Sequence, residues 1–179
     1  MNWNWFKALF VMTIFSCKSI PDGVEAVKKF DKDCYLGKWY EIARIDFKFE
    51  KDLSNTTAEY SAMRNGKIRV VNRVFNYKKN KWEKAVGKAK IVNKTDEAML
   101  KVSFFGPFYS GYNVIKLDDA YKYALVAGKN FNYLWILSRT TNVPNTIKED
   151  YLNFASRAGF DTSRLTWVVH NNEEKTGRL

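Results

Sequence analysis

The sequence predicts an all-β fold, an eight-stranded up-and-down antiparallel barrel with one C-terminal amphipathic α-helix packed on the barrel. Three observations predict it. Period-two segments of apolar and polar residues recur between residues 38 and 139, separated by turn residues, which is the signature of a half-buried antiparallel sheet. An early Gly37-x-Trp39 and a late, strand-terminal Arg139 suit a sheet that closes on itself, because the first and last strands of such a barrel are neighbours. The one segment with helical spacing comes after the eighth strand.

The expected strands are 38–46, 56–63, 67–76, 82–93, 98–105, 111–118, 122–128 and 133–139. Asn65-Gly66, Lys79-Asn80, Thr95-Asp96, Asp118-Asp119 and Lys129-Asn130 separate several of them, and such residues tolerate tight turns. Pro144 to Tyr151 opens the helix, with Thr146-x-x-Glu149 as its capping box. Ile147, Tyr151, Phe154, Ala155 and Ala158 share a face at spacings of three and four, so that face packs on something. Gly159 supplies the left-handed residue that stops the helix. Leu165 to Val169 returns as a short ninth strand. Without repeats or low-complexity runs, the mature chain reads as one domain.

Alternation assigns the faces. If Trp39 points inward, so do Glu41, Ala43 and Ile45; Ile68, Val70, Asn72 and Val74 follow, with Arg69 and Arg73 outside. Gly87, Ala89 and Ile91 point in while Lys88 and Lys90 point out, and Tyr133, Trp135, Leu137 and Arg139 share a face. Small inward residues (Ala43, Gly87, Ala89) mixed with large ones leave a tapered cavity, or else bulky neighbours fill the gaps and the core is solid. Arg139 is placed to lie over the Trp39 ring as a cation–π lid, with Gly37 as the turn that opens the first strand. Glu41, Asn72 or Tyr112 can hydrogen-bond a polar group inside, although a neutral Glu41 buried for structure fits as well.

These residues carry a resemblance. Trp39-Tyr40-Glu41-Ile42-Ala43-Arg44 with Phe49-Glu50, Thr57-Ala58-Glu59-Tyr60-Ser61, the run Lys101 to Tyr109, Gly111-Tyr112-Asn113-Val114-Ile115, Tyr133 to Thr140 and Gly159-Phe160-Asp161 resemble the lipocalins. They are most similar to the bacterial outer-membrane branch, which is related to apolipoprotein D and the plant temperature-induced lipocalins. The similarity spans roughly residues 30–170. The family's second signature, often Thr-Asp-Tyr, is replaced here by Leu117-Asp118-Asp119-Ala120-Tyr121. The resemblance implies a barrel that binds a fatty acid or lysophospholipid and needs no cofactor. Its expected ligand-contacting residues are Trp39, Glu41, Ala43, Tyr60, Asn72, Ala89, Phe104, Tyr112, Trp135 and Leu137; Gly37, Trp39 and Arg139 would close the barrel.

The N-terminus reads as a targeting segment. Lys7 precedes the apolar run Ala8 to Phe15, which is too short for a membrane-spanning helix of about 20 residues. Ile14-Phe15-Ser16-Cys17 resembles a relaxed bacterial lipobox. The expected organisation is therefore a lipoprotein signal peptide over 1–16, a lipid anchor on Cys17 with a tether to residue 30, and a lipocalin domain over 31–179. Two or more acyl chains on Cys17 hold a protein firmly to a bilayer. Lys18 stands where an inner-membrane retention aspartate would be, which favours the outer membrane, with the protein facing the periplasm. Cys34 then has no partner in the chain and is either a buried small hydrophobe or a site of intermolecular pairing.

The net charge of +11 falls to +10 when Lys7 leaves with the signal. Lys78, Lys79, Lys81, Lys84, Lys88 and Lys90 cluster, suiting either anionic headgroups or plain solubility. The aromatics of Phe104-Phe105-Gly106-Pro107-Phe108-Tyr109 can line the mouth, touch membrane, form a homodimer or pack under the loop. His170 is the only histidine and sits near a polar tail, which excludes a multi-histidine metal site and speaks against a His-based catalytic triad. Inward-facing aromatics and an export signal speak against nucleic acid as a partner. A carrier is expected, with a ligand-free structural envelope lipoprotein or a lipocalin-like enzyme acting on lipids as alternatives.

Overall fold

The computed structural model describes residues 19–45, 52–92 and 96–171; the expected signal segment, Cys17 and Phe49-Glu50 lie outside them. Strands β1 (Gly37–Ile45), β2 (Leu53–Ala62), β3 (Ile68–Asn76), β4 (Lys81–Ile91), β5 (Met99–Phe105), β6 (Phe108–Leu117), β7 (Tyr123–Ala127) and β8 (Leu134–Ser138) follow one another around the wall. Each pairs antiparallel with the next, and β1 closes the ring by pairing with β8 and β2. The all-β barrel is thus as expected.

β1 is shared between partners along its length. Gly37 to Tyr40 pairs with β2, whereas Ala43 to Ile45 pairs with β9 (Leu165–Trp167), which wedges in where β2 has peeled away. Val168 N–H donates to the Ile42 carbonyl at 2.9 Å and Asn55 N–H to the Val169 carbonyl at 2.8 Å, so the wedge is bonded on both sides.

Two apolar layers result. Tyr35, Trp39, Ile68, Val70, Leu100 and Val126 are buried inside the ring. Ile45, Leu125, Leu134 and Ile136 face outward and are covered by helix α2 (Asn145–Arg157) through Tyr151 and Ala155. Ile147, Phe154 and Ala158 flank that contact, the face its spacing foretold. The Tyr151 hydroxyl donates to the Tyr123 carbonyl at 2.9 Å. The helix stops as expected: Gly159 has φ +98°, and Phe160 N–H reaches back to the Ala155 carbonyl at 3.0 Å.

Several expectations are corrected. A bulge between Glu41 and Ala43 inserts one residue, so Ala43 and Ile45 point into the outer core and Arg44 turns inward beside Trp135. Thr146 is not the helix cap: Pro144 holds that position with φ −55°, and no side chain bonds the first turn. Gly87 does not open space, because a Cβ there would lie 2.7 Å from the Phe104 ring and 2.6 Å from the Ser103 carbonyl. Cys34 is exposed rather than buried. It sits in the short turn α1 (Lys32–Tyr35), which Asp31 caps by accepting from Asp33 N–H at 2.7 Å.

Residues 19–30 form no helix or strand, yet they bond to the barrel. Val27 N–H donates to the Val114 carbonyl, the Val27 carbonyl accepts from Ala98 N–H, and Phe30 N–H donates to the Asp96 carbonyl. Ala26 and Phe30 enter the inner core and plug the end of the ring where β1 begins.

Candidate functional site

The plugged end is built around Trp39, which is fully buried. The Arg139 guanidinium carbon lies 3.9 Å from its ring centroid. The guanidinium donates to the carbonyls of Cys34 and Lys38 at 2.9 Å, Tyr121 at 3.1 Å and Tyr35 at 3.2 Å. Gly37, with φ +96°, lets β1 leave the turn beside it; a Cβ there would lie 3.2 Å from Arg139 Nη1. Burial lowers the Arg139 pKa from its usual value, with Tyr35 and Tyr112 acting the other way.

Above this floor lies a cavity of about 440 Å³, within the usual range of small-molecule sites, about 300–1,000 Å³. Of the expected contact residues, Glu41, Tyr60, Asn72, Phe104, Tyr112, Trp135 and Leu137 border it. The other three do not. Trp39 lies beneath it, Ala89 is buried in the inner core with Ile68 and Leu100, and Ala43 is on the outside of the wall. Room comes instead from the small side chains of Ala58 and Ser110 along the wall; Gly111 and Gly128 also border the cavity, but their Cβ positions are taken up by the Ser19 carbonyl and the Tyr133 side chain.

Polar groups are layered along the axis. At the floor, the Tyr60 hydroxyl donates to Tyr112 at 2.9 Å, and the hydroxyls of Tyr112 and Tyr35 are 2.7 Å apart. Burial holds the phenols of Tyr35 and Tyr112 well above their ordinary pKa and pushes Tyr60 up to about 12, so all three are neutral hydroxyls near pH 7. Midway, Glu41 pairs with Arg44 at 2.7 Å. Thr56 Oγ1 and Asn72 Oδ1, both on cavity-bordering side chains, have no hydrogen-bond partner among the described residues. At the mouth, Lys129 and Tyr133 stand on the loop between β7 and β8.

Arg44, Thr56 and Lys129 were missed from the sequence. Strict alternation put Arg44 outside, and only the bulge brings it in. Thr56 and Lys129 carry no pattern that separates them from ordinary strand and turn residues.

A barrel shut at one end and hollow above defines a carrier-type up-and-down barrel with room for one small ligand. This chain belongs to the lipocalin family: the model of the lipocalin-like domain matches residues 30–170. The chain is 47% identical over 161 residues to the outer membrane lipoprotein Blc of Escherichia coli (strain K12), a match covering 90% of this chain and 91% of that protein. It is 45% identical over 164 residues to the Blc of Vibrio cholerae, covering 91% and 96%. Among solved structures, insecticyanin of the tobacco hornworm Manduca sexta superposes with a TM-score of 0.69 at 20% identity, covering 86% of this chain and 88% of that one. That last likeness concerns the fold.

Proposed function

We propose that this protein is a lipid-anchored carrier of single-chain amphiphiles, fatty acids or lysophospholipids, at the bacterial outer membrane. The observation that carries the reading is the cavity, apolar along Val70, Val102, Trp135 and Leu137 and polar at separate levels. An acyl chain of ~14 methylenes gains on the order of 11 kcal/mol gross at about 0.8 kcal/mol each. At the low end of association costs, about 4 kcal/mol, this leaves about 7 kcal/mol, a dissociation constant on the order of 10 micromolar. Phe104 and Trp135 flank the chain, Lys129 meets the headgroup at the mouth, and Glu41 and Asn72 offer polar groups midway along the cavity.

The address follows from Cys17 and from the similarity to outer membrane lipoproteins, with the barrel in the periplasm. Two features favour a mouth turned toward the bilayer. Phe105 and Phe108, at the tip of the β5–β6 hairpin on the mouth end, are 81% and 79% exposed. The Ser19 carbonyl accepts from Asn113 Nδ2 at 2.7 Å, so the chain leading back to Cys17 meets the barrel on β6, the strand that Phe108 begins.

Native mass spectrometry of the protein after gentle extraction tests the carrier reading. A retained mass matching a fatty acid or lysophospholipid is expected. A ligand-free protein that also fails to take up added palmitate or lysophospholipid overturns it, and turnover of the added lipid would mark an enzyme.

A further inference from the structure

The three floor tyrosines bring three hydroxyl protons and make two contacts, so one proton is left over. Tyr60 donates to Tyr112, while the Tyr35–Tyr112 contact admits either direction. If Tyr112 gave its proton to Tyr35, the spare proton would sit on Tyr35. That hydroxyl is on a side chain 1% exposed, against the rings of Phe30, Trp39 and Tyr60, and among the described residues only Tyr112 bonds it. A buried donor without an acceptor is costly. The better arrangement has Tyr35 and Tyr60 both donating to Tyr112, whose own proton is then free. Tyr112 borders the cavity, and so does Tyr60, whose oxygen still has lone pairs to accept with.

The floor also excludes one kind of oxygen. Arg139 lies under Trp39 and is engaged by four backbone carbonyls, and Arg44 is held by Glu41. A carboxylate pushed down to the tyrosines would lose its water, and among the described residues it would meet no cation that is not already engaged. A neutral hydroxyl meets both needs: it accepts from Tyr112 and donates to Tyr60. The cluster is fixed in place, because Trp39 Nε1 and Arg139 Nη2 both bond the Tyr35 carbonyl, at 2.9 and 3.2 Å.

We propose that the tyrosine cluster at the barrel floor is a recognition site for a hydroxyl group on the far part of a ligand's acyl chain, so that hydroxylated fatty acids are a preferred ligand class. The inference rests on the carrier reading above, with the headgroup at the mouth and the tail at the floor. A plain tail displaces water from Tyr112 and leaves its donor unmet; a hydroxylated tail replaces that bond.

The test compares palmitate with ω-hydroxypalmitate and a mid-chain hydroxystearate, by competition against a fluorescent fatty acid on the wild-type protein and on Tyr112→Phe. The quantity read is the ratio of affinities, hydroxylated over plain. The ratio for at least one hydroxylated acid is expected to fall about tenfold in Tyr112→Phe, the factor that a bond of about 1.4 kcal/mol carries; taking the ratio cancels any change in the binding of palmitate itself. Tyr60→Phe, which removes the acceptor, lowers the same ratio and serves if Tyr112→Phe does not fold. Ratios unchanged in both variants overturn the hydroxyl site while leaving the carrier reading intact. Failure of the wild-type protein to bind any of the acids overturns the carrier reading and the site with it.

Discussion

The carboxylate of Glu41 and the guanidinium of Arg44 meet at 2.7 Å inside the barrel wall, with 12% and 3% of their side chains exposed. The bulge that turns Ala43 outward is what turns Arg44 in. Removing one partner of such a pair takes the closest counter-charge away from the other buried group, at a cost of about 3–5 kcal/mol, whereas replacing both by apolar residues of similar size is close to neutral. Arg44→Met should therefore lower the urea midpoint strongly, and Glu41→Leu with Arg44→Met should recover most of the loss. A double variant as unstable as the single one would show that the bulge itself needs the charges.

Arg139 and Trp39 close the floor in a way that lysine cannot copy. The stack at 3.9 Å comes with bonds to four carbonyls, and only a planar guanidinium supplies that fork. Arg139→Lys should cost about 2–3 kcal/mol, a sum of lost charged hydrogen bonds and a weaker cation–π contact. Thermal unfolding of the ligand-free protein checks it; a melting temperature within a degree or so of wild type would refute the assignment.

His170 gives stability a pH dependence of known sign. Its Nε2 lies 2.7 Å from the Glu41 carbonyl and its ring stands edge-on to Tyr40 at 5.5 Å. Burial lowers its pKa from the usual value, against the raising effect of the Glu41 carbonyl, and Lys38 lowers it further. A group whose folded pKa is depressed stabilises the fold where it is neutral. The contribution is present above the unfolded value of about 6.5 and is lost as pH falls through the lower folded value. Urea midpoints should drop between about pH 7 and 5 in the wild type, and the drop should be shallower in His170→Asn. A parallel slope in both proteins would assign the effect to carboxylates.

Phe105 and Phe108 are the most exposed of the large apolar side chains among the described residues, and no barrel packing explains them. Two aromatics on one hairpin tip, near the basic β3–β4 hairpin with Lys78 and Lys79, match an anionic bilayer surface. The full-length protein with phosphatidylcholine vesicles containing a minority of phosphatidylglycerol should show slowed amide exchange at residues 104–109, and Phe105→Ser with Phe108→Ser should abolish that protection. Loss of a dimer in detergent by the same double variant, with no change on vesicles, would assign the patch to a second copy instead.

What was legible in the sequence was whatever repeats with the strand period or sits in a rigid local motif. The eight strands, the face of α2 and the Gly159 stop are of that kind, and the Trp39–Arg139 contact was legible because a closed sheet puts its first and last strands side by side. The rest depended on neighbours far along the chain. Ile42 and Ala43 are both apolar, so nothing local marks the bulge that moves Ala43 out and Arg44 in. Cys34 looks like a small core residue, but Asp31 holds its turn at the surface. The tyrosine cluster joins residues 52 and 77 positions apart, a meeting that only the closed sheet brings about.

Gly87 was read as a gap and is in fact a seat. The missing side chain lets the Phe104 ring lie flat on the wall, where an added Cβ would come within 2.7 Å of the ring and 2.6 Å of the Ser103 carbonyl. The carbonyl is backbone and its strand is paired at Lys88 and Ser103, so it yields little. The ring is the softer partner, and Phe104 borders the cavity. Gly87→Ala should therefore push the ring into the ligand space. Overpacking of this kind costs about 1–3 kcal/mol of stability, and palmitate affinity should fall several-fold alongside it. Adding Phe104→Ala to Gly87→Ala should restore binding more fully than stability, because the Ser103 contact persists. Unchanged palmitate affinity in Gly87→Ala would place the acyl chain away from β4 and β5.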